Sequence, residues 1–415
     1  MKGKFRDFAT KLQAVPRQRW AWLASGLGAA FLIFGGWWNN LPLFGIGAAS
    51  FALGVMYILG RRTSRASMPP EAPPAPAVAP TPVAHQEPRA PVAPEDTEGL
   101  VEQMLAQGRY ALMLRPQVVG NLSAAHRERT RDELTEQMAF VPAGEVELGP
   151  WDEHALDGAQ QDEDRHTAVY RVDAYYLDRY PVTNRQFLEF VMAGGYEQMA
   201  LWDAKILPAV IDFVDQTGCL GPRYWRHGRY HEGTEELPVV GISWYEAMAY
   251  ARWVGKRLAT DAEWVKAACW PVPLGPGSRM QRRYPWGDNM DRERANIWGS
   301  GPGRIVPVTE FGSGVSVGGV YQLVGNVWEW TSSNFGAGGY SRPELVLPTP
   351  MKSVRGGAYD TYFDNQATSQ FQSGENPVAR RYNVGFRCAL GACDVSFSET
   401  NDAAEPVAEL QEAGA

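Results

Sequence analysis

Cysteine is scarce, with four residues in 415. That excludes a disulfide-stapled secreted scaffold, which would need many more. An excess of base is missing too. Lys and Arg number 39 against 47 Asp and Glu, a net charge of −8, so the chain lacks the electrostatic footprint of a nucleic-acid binder. Charge of either sign is absent from Trp20 to Gly60. What is present is 45% hydrophobic residues, enough for most of the chain to fold, and two unusually frequent residue types, 43 Gly and 15 Trp.

The uncharged stretch predicts membrane insertion. As a single helix it would run to about 60 Å, twice a bilayer core. Two spans over residues 20–38 and 43–60 fit better, joined by the polar turn Asn39-Asn40-Leu41-Pro42. Trp20, Trp22, Trp37 and Trp38 fall at the ends of the first span, where interfacial aromatics belong. A signal peptide fits poorly, because the apolar region is far longer than an h-region; a lone anchor stays open. Residues 1–65 carry nine Lys/Arg against Asp7, with bases in the 1–19 segment and after the hairpin. By the positive-inside rule both flanks face the cytoplasm, which places the large C-terminal part in the cytoplasm beneath an inner, multi-pass membrane anchor. The alternative puts that part on the extracytoplasmic side.

Residues 61–96 form a Pro/Ala-rich linker, with ten prolines between Pro69 and Pro94. Such a segment reads as a polyproline-II spacer or as a Pro-rich docking motif. Residues 97–137 read as a helical neck of two amphipathic helices, 97–115 and 122–137, split by Pro116 and Gly120; it packs on the next domain or pairs with another copy. Residues 394–415 form an acidic tail with no base, expected to be disordered.

The body, 138–393, holds the other 11 tryptophans. Three capping boxes mark helix starts at Thr183/Gln186, Ser243/Glu246 and Thr260/Glu263; Gly194-Gly195 and Gly255 mark two of the stops. Extended segments, including Ala168–Tyr176, and a long coil from Trp270 to Leu323 complete the pattern. The fold class is α+β, loop-dominated, with an aromatic core.

Motifs in this body resemble the formylglycine-generating enzyme, or sulfatase-modifying factor, family. They are Phe140-Val-Pro-Ala-Gly-Glu-Val-Glu-Leu-Gly149, Tyr175-Tyr-Leu-Asp-Arg-Tyr-Pro-Val-Thr-Asn184, Pro238-Val-Val-Gly-Ile-Ser-Trp-Tyr-Glu-Ala247 and Gly255-Lys-Arg-Leu-Ala-Thr-Asp-Ala-Glu-Trp264. Tyr284-Pro-Trp-Gly287, Ala295-Asn296, Val324-Gly-Asn-Val-Trp-Glu-Trp-Thr331, Val354-Arg-Gly-Gly357 and Gly385-Phe-Arg-Cys388 follow in the same order. The resemblance implies the family's variant of the C-type-lectin fold, here behind a two-helix transmembrane hairpin.

It also implies a chemistry that the residues do not support. The family's oxidases hold copper between two cysteines, whose soft thiolates suit Cu(I). The corresponding positions here are Thr361 and Gln366, and Ala358–Glu375 contains neither Cys nor His. Cys388 falls in the Gly-Phe-Arg-Cys motif, but the position of its family disulfide partner is Ala251. Copper is therefore not expected, and whether the chain is an enzyme stays open.

Calcium is expected as a structural ion. The resemblance implies one site at the Gln322 side chain, the Gly325 and Val327 carbonyls and the Glu329 carboxylate, and a second at Asn296 and the Ile297 carbonyl; hard cations take such oxygens. The second site's acidic partner would lie in a loop that is shortened here, Trp298 to Pro307. In the alternative, Glu329 and Asn326 bond the backbone within a turn. Gly314-Val-Ser-Val-Gly318 fits a nucleophile elbow only by chance, lacking the strand and helix that motif needs. His227 and His231 sit in a Gly-interrupted loop and do not read as a metal pair, and the neck offers only His126 for an iron-oxygenase arrangement.

The remaining candidate is a ligand-binding surface: Tyr359, Asp360, Tyr362, Phe363, Asp364, Asn365, Phe371, Arg380, Arg381 and Tyr382. Mixed aromatics and polar groups suit recognition of a peptide or protein partner. Within that set, Phe371 and Tyr382 read rather as core. The sequence thus favours a membrane-anchored binding or scaffold module, against a metal-dependent protein-modifying enzyme or an accessory subunit of a membrane complex. Its expected partners are the lipid bilayer, a protein or peptide ligand and another copy through the neck or spans.

Overall fold

Three helices begin where their capping boxes put them. Thr183, Ser243 and Thr260 each accept a hydrogen bond from the backbone N–H three residues on, and the side-chain oxygens of Gln186, Glu246 and Glu263 accept one from the cap N–H. These are helices α5 (Asn184–Met192), α6 (Trp244–Trp253) and α7 (Asp261–Cys269). The computed structural model describes residues 97–149, 168–275, 278–336 and 350–397. The chain divides into two units, Met1–His85 and Gln86–Ala415, and every described residue belongs to the second. The expected transmembrane hairpin, the linker 61–96 and most of the acidic tail lie outside the described residues. No helix among the described residues is long and apolar enough to cross a membrane.

The neck is four helices rather than two: α1 (Thr97–Ala106), α2 (Tyr110–Met113), α3 (Pro116–Val119) and α4 (Ala124–Gln137). Gly108 takes φ +68 and breaks the first expected helix, a conformation that costs a glycine little. The neck packs on the domain. Its Val101, Leu105, Tyr110, Leu114 and Leu134 share a core with Met138 and Leu390. Gly255 also makes this contact possible, since a Cβ there would stand 2.6 Å from the Leu112 side chain. Arg115 then donates to the Gly255 carbonyl at 2.8 Å.

Two four-stranded sheets carry the body. The first has the order β1 (Met138–Val141), β4 (Tyr175–Asp178), β12 (Cys388–Gly391), β5 (Arg257–Leu258). The second has the order β10 (Gln372–Glu375), β9 (Lys352–Arg355), β8 (Trp328–Asn334), β11 (Val384–Phe386). β2 (Gly144–Leu148) and β3 (Ala168–Val172) pair separately, as do β6 (Val272–Gly275) and β7 (Ser278–Met280). That last hairpin corrects the long-coil expectation for Trp270–Leu323. Its Pro and Gly content had masked a strand pair, because those residues weaken a β pattern without forbidding an edge hairpin.

The core is aromatic, as the tryptophan count predicts. Phe187 of α5 sits among Phe190, Trp225, Tyr250 and Phe386, with ring centroids 5.3, 6.2, 5.4 and 6.3 Å away.

Buried charge joins the layers. Arg387 is the single residue between β11 of one sheet and β12 of the other. Its guanidinium reaches both Glu329 oxygens, Nε at 2.8 Å and Nη2 at 2.7 Å. It also donates to the carbonyls of Asp178, Arg179 and Tyr321 at 3.0, 3.1 and 2.7 Å. At the start of α7, Asp261 accepts from Arg355 Nη2, Gln372 Nε2 and Thr331 Oγ1, each at 2.6 Å.

Burial alone would raise the Asp261 pKa. The Arg355 charge and these hydrogen bonds outweigh it and hold the carboxyl below its ordinary value of 3.8. A depressed carboxyl contributes stability above its unfolded pKa and loses it as pH falls through the folded value. Asp261→Asn is therefore expected to melt well below the native protein at pH 7. That gap should narrow below about pH 4, where the unfolded chain's carboxyl takes up a proton before the folded one does, and close once the folded carboxylate is protonated too. Melting temperatures of both proteins at pH 7 and pH 3 check this; an unchanged gap would refute the carboxylate's role.

Candidate functional site

The predicted recognition surface is built by the turn after β9 and the segment leading into β11. Thr361 does not face a ligand. It is buried, its Oγ1 accepts the Ala358 N–H at 2.8 Å, and its carbonyl accepts from Trp298 at 3.2 Å. At one of the two cysteine positions the hydroxyl thus closes a structural turn. Gln366 is half-buried and lines a groove of about 310 Å³ with Trp328, Phe371, Glu375, Tyr382 and Asn383.

Beside that groove the structure brings Tyr359, Asp360 and Tyr382 together. The Tyr382 hydroxyl donates to Asp360 Oδ2 at 2.8 Å, and Asn383 Nδ2 donates to the same carboxylate at 3.1 and 3.2 Å. That hydrogen bond and the Asp360 charge push the Tyr382 phenol above its ordinary pKa. The Tyr359 and Tyr382 rings stand 6.5 Å apart at 57°. Tyr382 is half exposed, so it belongs to the surface rather than the core. Phe371 is half-buried against Trp328, 6.0 Å between centroids.

A second cluster adjoins it. Tyr362 is 64% exposed, Phe363 59% and Trp298 56%. Tyr362 lies 5.2 Å from Phe363 and 6.2 Å from Trp298. Neighbouring Asp364 is held by Arg292 at 2.6 Å, and Asn365 is exposed. Trp298 and Asn383 were missed from sequence. Trp298 directly follows the Asn296-Ile297 pair, and the available signal was a tryptophan within the expected coil, with nothing to tie it to Tyr362.

Arg380 is a correction. Its side chain is 9% exposed and pairs with the fully buried Glu246 at 3.0 Å, while Nη1 donates to the Val214 carbonyl at 2.8 Å. It braces the core, because a carboxylate at a buried helix start needs a cation. Burial pushes the Glu246 carboxyl up, against the opposing Arg380 charge. Arg381 does remain exposed, paired with Glu375 at 2.7 Å.

The metal expectations fare unevenly. Glu329 spends both oxygens on Arg387, and Oε2 also accepts from Trp264 Nε1 at 2.8 Å. Gln322 Oε1 accepts from Asn326 at 2.7 Å, and the Gly325 carbonyl accepts from Val327 at 2.9 Å. The Glu329 carboxylate, the Gln322 amide oxygen and the Gly325 carbonyl are thus each engaged within the protein; Asn326 bonds the Val306 backbone as the alternative had it, whereas Glu329 is held by side chains. At the second set, Asn296 Oδ1 is buried without a hydrogen-bond partner, but Ile297 O already accepts from Ser300. Among the described residues no group of three or more His, Cys, Asp or Glu could hold a metal. The four cysteines are free thiols, and Cys388 and Ala251 are buried in one core cluster. Burial, reinforced by Asp178, pushes the Cys388 pKa well up, so it stays protonated rather than becoming the thiolate that a soft metal needs.

Comparison with known proteins agrees with the motif order. Residues 123–392 match the model of the sulfatase-modifying factor enzyme 1-like domain. The serine/threonine-protein kinase Pkn1 of Chlamydia trachomatis serovar L2 is 31% identical over 71% of this chain and 44% of its own length. The hercynine oxygenase of Mycolicibacterium thermoresistibile is 32% identical over 55% of this chain and 53% of its own. The formylglycine-generating enzyme of Thermomonospora curvata is 28% identical over 63% and 95%. The chain thus spans about half the length of the first two of these relatives. Among solved structures, PvdO from Pseudomonas aeruginosa covers 61% of this chain and 94% of its own, at 21% identity and a TM-score of 0.42. With the family's domain covering residues 123–392 and its motifs occupying the strands and caps described above, the chain belongs to the sulfatase-modifying factor enzyme 1-like family.

Proposed function

We propose that this is a membrane-anchored member of the family that binds a protein or peptide ligand rather than oxidising one. One observation carries the reading: Thr361 and Gln366 stand at the cysteine positions, and the Thr361 hydroxyl is committed to the Ala358 turn. The surface of Tyr359, Asp360, Tyr362, Asp364, Asn365, Arg381 and Tyr382, extended by Trp298 and Phe363, supplies exposed rings beside polar groups. Such a mixture combines large contact area with directional hydrogen bonding. The uncharged 20–60 stretch supports the anchor, and the flanking bases support a cytoplasmic domain.

A second reading is favoured by the names of the relatives, which include oxygenases and formylglycine-generating enzymes. In it, the same fold carries oxidation on a different residue set. Elemental analysis of the purified full-length protein separates the two, run together with oxygen uptake on a cysteine-containing peptide. The binding reading expects neither stoichiometric copper nor iron and no peptide-dependent uptake. Stoichiometric metal with turnover would overturn it in favour of the enzyme.

A further inference from the structure

Far from the Thr361 turn in sequence, a cavity of about 400 Å³ lies between the β1–β2 connection and the C-terminal end of α7. That volume is within the usual range for small-ligand sites. Lys266 lines it. The residue is 5% exposed, and its ammonium donates to the Pro142 carbonyl. No ion pair among the described residues includes it: the neighbouring bases pair elsewhere, Arg257 with Glu263 and Arg279 with Glu145. Desolvation accordingly lowers the Lys266 pKa. A buried ammonium with one acceptor and no counter-charge is costly, and an anion entering the cavity would remove that cost.

The walls define the anion. Arg279 also lines the cavity, but its charge is spent on Glu145 at 2.6 Å and Glu147 at 3.7 Å. Lys266 is then the lining cation with no carboxylate paired to it among the described residues, and with Glu145 also in the wall the cavity suits a monoanion better than a phosphate dianion. Gly144 faces the ammonium, where a Cβ would stand in van der Waals contact at 3.7 Å from Nζ, so the absent side chain leaves that side of Lys266 open to the cavity. Glu145 and Ser278 add polar groups to the wall, and Trp270, Pro271 and Pro273 give it a flat apolar side. Trp270 holds its place against strain. Preceding Pro271, it is disfavoured in the right-handed helical region, and it adopts φ 42, ψ 73. Its ring lies over Gly318, where a Cβ would come within 2.6 Å of Cζ3. Strained bulky residues of this kind concentrate at ligand clamps.

We propose that this cavity binds a small carboxylate with a flat apolar body, its anionic end on Lys266 and its body against Trp270 and the two prolines. The site is independent of the recognition surface above.

Residue-resolved acetylation of lysines in the full-length protein tests it, with peptides quantified by mass spectrometry and exposed Lys205 as the internal reference. Benzoate, cyclohexanecarboxylate and the uncharged benzamide are the probes. A carboxylate at ten times its dissociation constant is expected to slow Lys266 acetylation about tenfold relative to Lys205, with benzamide leaving it unchanged. Lys266→Met should abolish saturation-transfer signals from benzoate while keeping the native circular dichroism spectrum. Equal protection by benzamide would overturn the proposal, reducing the cavity to an apolar void. So would no protection by either carboxylate. Both readouts on the wild-type protein stand even if the Lys266→Met protein does not fold, and neither depends on whether the Tyr382 surface binds a partner.

Discussion

Arg387→Ala is expected to destabilise the protein by about 3–5 kcal/mol, the cost of breaking a buried pair from one side. The size follows from what remains. Glu329 is fully buried and keeps only the Trp264 N–H, while the carbonyls of Asp178, Arg179 and Tyr321 each lose the Arg387 donor. Because Arg387 lies where the chain passes from one sheet to the other, the loss strikes both sheets at once. Arg387→Lys should recover part of the stability, since it restores charge but not the planar fork that satisfies two oxygens and three carbonyls. Urea denaturation of the three proteins measures this. A loss below about 1 kcal/mol for Arg387→Ala would show that water enters and solvates Glu329, as at an exposed pair.

Phe187→Ala should cost a similar amount, about 3–5 kcal/mol, through a different mechanism. Phe187 is fully buried, and four rings from α5, α6, β11 and the Trp225 loop surround it. They are anchored in separate elements and cannot collapse together into the space, so most of the cavity persists. Phe187→Leu keeps most of the volume and should lose much less, with the aromatic edge contacts accounting for about 0.5–1.5 kcal/mol apiece at most. The comparison of the two variants by chemical denaturation decides between packing and ring geometry. Equal losses would mean that ring orientation, not volume, sets the stability here.

The two predictions separate what kind of information each feature needed. Capping boxes at Thr183, Ser243 and Thr260 were legible because they are local: a hydroxyl and a carboxylate or amide three residues apart satisfy the same backbone groups in any context. The family was legible because nine short motifs recur in one order. The aromatic core was legible as a surplus of tryptophan, and the departure from the family's cysteine positions as Thr361 and Gln366.

Other features depended on pairing across long sequence separations. Arg380 looked like a surface base beside Arg381, and only the burial of Glu246, 134 residues away, made it a core brace. Glu329 looked like a calcium ligand until Arg387, 58 residues on, took both its oxygens. Trp298 gave no sign of joining Tyr362, and nothing in the sequence set Lys266 apart from other lysines. Sequence by itself determined the helix starts, the family and the absence of a thiolate pair, all of which rest on residue type at short spacing. Only the tertiary structure decided which charges are paired and which are left alone, because the energy of a buried charge is set by what the fold brings within a few ångströms of it.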